Sequence, residues 1–130
     1  MTGQARRARR ERDERPASGA FAAAATAYAA NCALGLAVAA RLIDTRHFRW
    51  VHHALYILTC ATTGLAVVAG LATRTPRSHR AALALLPAVV PLAAIPYAGT
   101  HTRRHPLVAL TAAPFVLAGL VVSRLPSDRK

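Results

Sequence analysis

Six histidines are the residues in this chain best suited to chemistry. His52 and His53 open a long apolar run that begins after Trp50, and His101 and His105 flank the start of another at Pro106. His47 falls just before the first pair, while His79 lies in a different inter-block segment. Imidazole is the commonest transition-metal ligand and a usual axial ligand of haem iron. Rings brought to one depth at the starts of two helices would form a haem b or transition-metal site serving electron transfer. Its ligands would come from His52, His53, His101 and His105, with His53 and His105 as the simplest pair. Adjacent residues on a helix point about 100° apart, so only one of His52 and His53 faces a shared centre. The competing reading makes these histidines amphipathic residues at headgroup depth. Arg46, Arg49, Arg103 and Arg104 would repel a metal cation, and Asp44 is the only carboxylate nearby to orient a ligand.

Such a site requires helices that start at a common level. Hydrophobic residues make up 54% of the 130 and charged residues 17%, so the two kinds must be segregated. They fall into apolar blocks at 19–41, 50–73, 81–98 and 106–123, separated by short arginine-bearing segments. Crossing about 30 Å of hydrocarbon takes about 20 apolar residues. The fold expected is all-α: a polytopic membrane protein built as a four-transmembrane-helix bundle over 19–123. A disordered basic tail precedes it at 1–18, and a second basic tail follows at 124–130. A soluble four-helix bundle would show polar residues on its outer face at helical period, and Ala81 to Thr100 offers none until Thr100.

Periodicity assigns faces to the first two spans. In the second, His52, Tyr56, Thr59, Thr63, Ala66 and Gly70 recur at steps of three and four, a stripe of polar or small residues. In the first, Ala27, Asn31, Gly35 and Ala39 repeat every fourth position, a ridge that lets another helix approach closely. Packing is therefore expected through Asn31, Gly35 and Ala39 of the first span and Thr59, Thr63, Ala66 and Gly70 of the second, with Asn31 making an interhelical hydrogen bond. Ser18 reads as an N-cap. Pro76 and Ser78 read as breaking the chain after the second span. Pro87, Pro91 and Pro96 bend the third span, or break it in the manner of a transporter helix. Pro106 suits a first turn, and Pro114 and Gly119 bend the fourth span.

Net charge is +12. Phosphate neutralisation is one use of such charge, but the arginines lie between apolar blocks with no recognition element, and nucleic acid is not an expected partner. The bilayer is, together with a membrane-protein partner or a second copy of the chain. Of the 17 basic residues, twelve lie in the N-terminal tail, the segment after the second block and the C-terminal tail, and five in the other two segments. That asymmetry puts both termini in the cytoplasm of a multi-pass cell-membrane protein. A cleavable leader would explain the basic start and Ala37-Val38-Ala39, but the apolar run exceeds a leader's usual length, so a retained span is expected.

All five acids lie outside the apolar blocks. A proton-coupled carrier needs one inside, as small four-span multidrug exporters have in their first span. Cys32 and Cys60 do not make the C-x-x-C of four-span quinone-linked thiol oxidoreductases, and suit buried apolar positions. No nucleophile–base pairing or phosphate loop is present. An accessory or scaffold subunit without catalysis is the leading expectation, and the histidine site the alternative.

Overall fold

The computed structural model describes residues 3–43, 49–73, 75–98 and 104–126. Among these, every regular element is helical: α1 is Gly3–Ala39, α2 Arg49–Ala72, α3 Pro76–Leu85, α4 Val89–Ala94, α5 Arg104–Thr111 and α6 Ala113–Arg124. Four stretches are long and apolar enough to cross a membrane: Ala17–Ala39, Trp50–Ala72, Pro76–Tyr97 and Pro106–Arg124. Their 19 to 23 residues reach about 28 to 35 Å at 1.5 Å per residue, against about 30 Å of hydrocarbon.

The first helix extends beyond its span. Residues 3–18, expected to be a disordered tail, continue α1 towards the N-terminus. Arginine, glutamine, glutamate and alanine are strong helix formers, and the apolar span gives them a nucleated helix to propagate. Pro16 lies in that path and costs one backbone bond without ending the helix. Ser18 is accordingly not an N-cap: its hydroxyl donates to the Arg15 carbonyl at 3.0 Å, inside the helix.

At its other end α1 stops on Arg41, whose φ is 57°. The Leu42 amide bonds the Ala37 carbonyl at 2.9 Å and the Arg41 amide bonds that of Val38 at 3.0 Å. This is the Schellman arrangement with arginine where glycine usually sits. A Cβ in left-handed backbone costs roughly 1–2 kcal/mol, partly offset because glycine loosens the unfolded chain. Arg41→Gly is therefore expected to stabilise the purified protein by up to about 1 kcal/mol. An unchanged or lower melting temperature in detergent would count against this.

Proline does not end the helices where the sequence suggested. Pro76 occupies the first position of α3 after Thr75, which is extended at φ −98° and ψ 130°. The third span thus begins before Ala81, with Ser78 buried inside it. Pro87 lies in a 3₁₀ turn, Leu86–Ala88, and Pro96 in another, Ile95–Ala98, with α4 between them. Tightening to 3₁₀ geometry absorbs the lost amides, and the span continues to Tyr97. In the fourth span α5 hands over to α6 at Ala112, whose amide reaches only to Ala109 (3.2 Å), ahead of Pro114.

The spans form a ring. α1 packs on α2 and α6, and α3 packs on the same two, so the second and fourth spans lie across a diagonal. The seam is largely alanine, with Ala24, Ala66, Ala81, Ala82, Ala88 and Ala112 at most 1% exposed. Phe21 and Leu85 are the large side chains sealed within it. The big aliphatics face outward: Val90 is 72% exposed, Val68 64% and Leu65 62%. In water each such exposure forfeits roughly 1.5–3 kcal/mol of burial. In hydrocarbon it forfeits nothing, and small residues inside are what close helix contact requires.

Candidate functional site

The polar groups of the spans meet inside the ring. Tyr28 of α1 donates its hydroxyl to the Ala109 carbonyl at 2.7 Å. Tyr56 of α2 donates to the Leu92 carbonyl at 2.9 Å. Leu92 lies four residues before Pro96, which has no amide to offer it, so a tyrosine from another span supplies the missing donor. Ala109 lies at the handover between α5 and α6, where the backbone is also rearranged. Cys32 and Cys60, both free thiols, stand one turn beyond each tyrosine on the same helix.

Thr59 is 0% exposed and bonds the Leu55 carbonyl of its own helix at 2.7 Å. Thr63 is 1% exposed, and among the described residues its hydroxyl oxygen has no hydrogen-bond partner. The Asn31 side-chain oxygen is likewise buried without one. Asn31 therefore reaches the interior, as its ridge suggested, and among the described residues its side-chain oxygen accepts no hydrogen bond.

The small residues separate into two groups. A Cβ on Gly70 would lie 2.8 Å from the Ala82 Cβ and the Ser78 carbonyl oxygen, and 2.9 Å from Phe21 Cζ. Gly35 would meet nothing within 4 Å, and Ala39 is exposed. The close approach of backbones thus falls where α2 meets α3, with the Phe21 ring of α1 against the same point, and not at Gly35. A second one, given by the sequence only as a bend, is Gly119, whose Cβ would lie 2.9 Å from that of Leu85.

His52 is half-buried on α2, and His53 beside it is exposed. His105 lies on α5, across the diagonal from α2 at the same end of the ring, and nothing further is described of its side chain. His47 and His101 lie outside the described residues, and His79 is exposed on α3. Among the described residues no three of His, Cys, Asp or Glu gather closely enough to hold a metal ion.

The arrangement uses its best donors on its own backbone. Sequence reasoning missed Tyr28, and placed Tyr56 only within a stripe. The signal was available as a tyrosine four residues before a cysteine in each of the first two spans, opposite proline-bearing spans. Compared with protein-family models, curated proteins and solved structures, the chain matches none.

Proposed function

We propose that this chain is a non-enzymatic accessory or scaffold subunit of the cell membrane, spanning it four times with both termini in the cytoplasm. The observation that carries this reading is the disposition of Tyr28 and Tyr56, whose hydroxyls hold backbone carbonyls at helix irregularities. Interior polarity of this kind fixes the shape of a bundle. Activity then belongs to the surface it presents, which along the spans is aliphatic and suits lipid or the apolar face of another membrane helix.

The orientation is supported by the basic residues. Arg15, Arg77 and Arg124 gather at one end, with the larger share of the positive charge in the segments around them. A reporter active only outside the cytoplasm, fused after Lys130, is expected to stay silent, and one inserted at Thr45 to be active. The opposite pattern would invert the protein. Cross-linking in native membranes followed by purification tests the subunit role. A single recurrent partner, or a second copy of the chain, supports it, and turnover of a small molecule by the purified protein alone would sink it.

A further inference from the structure

We infer that the end of the bundle carrying Arg15 and Arg124 is a phosphate-binding cleft, occupied by the headgroup of an anionic phospholipid; this rests on the membrane reading above. An open cleft of about 370 Å³ lies there, lined by Arg15 of α1, Arg77 of α3, and Arg124 and Ser123 of α6, with Ser18 at its edge. Three helices distant in sequence each contribute one guanidinium, and among the described residues the lining contains no acid. A phosphate placed among them would be attracted by each guanidinium. The guanidinium is also the side chain whose planar fork matches phosphate oxygens in pairs.

The geometry makes the arginines the donors. Ser18 and Ser123 spend their hydroxyl protons within their own helices, on Arg15 (3.0 Å) and Leu120 (2.6 Å) carbonyls. Arg77 is anchored by donating to the Leu125 carbonyl at 2.8 Å, which ties α3 to the end of α6. The level is that of headgroups. Arg124 is the last residue of the fourth span, Arg77 the second of the third, and Arg15 precedes the first at Ala17. Basic pockets between membrane helices at this depth receive anionic headgroups.

A neighbouring groove separates a lipid from a free phosphate. It has about 480 Å³, is lined by Leu120, Val121, Leu125 and Pro126, and shares Arg124 with the cleft. Its walls are apolar, and it continues along the outer face of α6. Free phosphate has no use for such a groove. A phospholipid places its phosphate on the arginines and lays an acyl chain along Leu120 and Val121.

The test is native mass spectrometry of the full-length protein in a neutral detergent, titrated with phosphatidylglycerol or phosphatidylcholine. Phosphatidylglycerol is expected to be retained in preference, and increasing salt to release it. Arg15→Gln and Arg124→Gln change exposed side chains, so the fold is retained, and each is expected to weaken retention roughly fivefold. Arg41→Gln, at the opposite end, serves as the control and is expected to change nothing. Undiminished retention in the Arg15→Gln, Arg124→Gln double variant, or an equal loss with Arg41→Gln, would overturn the site. In a parallel melting experiment with inorganic phosphate, weak stabilisation supports the lipid. Stabilisation equal to that by phosphatidylglycerol, lost in the double variant, would overturn the lipid assignment in favour of free phosphate. Failure of the membrane reading shows separately, as protein that leaves the membrane fraction on alkaline washing before any lipid is added.

Discussion

Gly70→Leu is expected to destroy the bundle, and even Gly70→Ala to cost about 1–3 kcal/mol of stability. A single Cβ there would lie 2.8 Å from the Ser78 carbonyl oxygen and from Ala82 Cβ. Of the three nearest atoms only Phe21 Cζ, at 2.9 Å, belongs to the end of a side chain. Ser78 and Ala82 are both buried in α3, so relief requires α2 and α3 to separate. Close van der Waals contact is the principal attraction between helices in lipid, and separation forfeits it. Gly119→Leu strikes the contact between α6 and α3 in the same way, with Leu85 as the obstacle at 2.9 Å. Gly64 of the same helix provides the control, because its Cβ would meet nothing within 4 Å. Gly64→Ala is expected to stabilise the protein by up to about 1 kcal/mol through helix propensity alone. Gly35→Ala should behave as Gly64→Ala does. The measurement is the fraction remaining monodisperse in detergent after stepped heating. Equal effects at Gly64 and Gly70 would show that α2 and α3 do not approach here.

Those glycines mark the boundary of what was legible in the sequence. The four spans could be read because bilayer thickness fixes how many consecutive apolar residues a crossing helix needs; the first two blocks meet that length and the third and fourth fall just short of it. Their edges were less legible. Pro76, Arg77 and Ser78 have loop composition, yet the missing amide of a first-turn proline costs a helix nothing, so the third span begins there. Residues 3–18 carry no apolar period, but a charged segment joined to a preformed helix extends it on propensity.

The packing surface was legible as composition and not as position. A small residue at every fourth place permits close approach without stating which helix approaches. Gly35 and Gly70 satisfy the same rule, and only Gly70 has a neighbour within 4 Å. The difference lies in α3, whose Ala82 and Ser78 are distant from Gly70 in pattern although close in sequence. The histidines drew attention because imidazole chemistry is visible in a residue name. The tyrosines did not, because what they hold is a backbone carbonyl, and every residue has one.

Replacing Tyr56 with phenylalanine is expected to cost about 1–2 kcal/mol, the value of a buried hydrogen bond between membrane helices. The ring stays and its packing is kept, so the loss isolates the hydroxyl. The carbonyl it serves, Leu92, has no helical amide to fall back on, since the residue four places on is Pro96. A bare carbonyl in an apolar interior bears its full desolvation penalty. Tyr28→Phe removes the bond to Ala109, whose carbonyl keeps the Ala112 amide at 3.2 Å, so it should cost less, about 0.5–1 kcal/mol. The two bonds join different pairs of helices, so their costs should add in the double variant to about 1.5–3 kcal/mol. Proline supplies the decisive control. Pro96→Ala restores an amide in register with the Leu92 carbonyl, and in that background Tyr56→Phe should cost less than half as much. Pro114→Ala should not rescue Tyr28→Phe, because the amide it restores is in register with Leu110 and not with Ala109. Melting of the four single variants and the three double ones in detergent closes all three cycles. If Pro96→Ala leaves the cost of Tyr56→Phe unchanged, the tyrosine is held by its ring, and the hydroxyl is incidental to the bend.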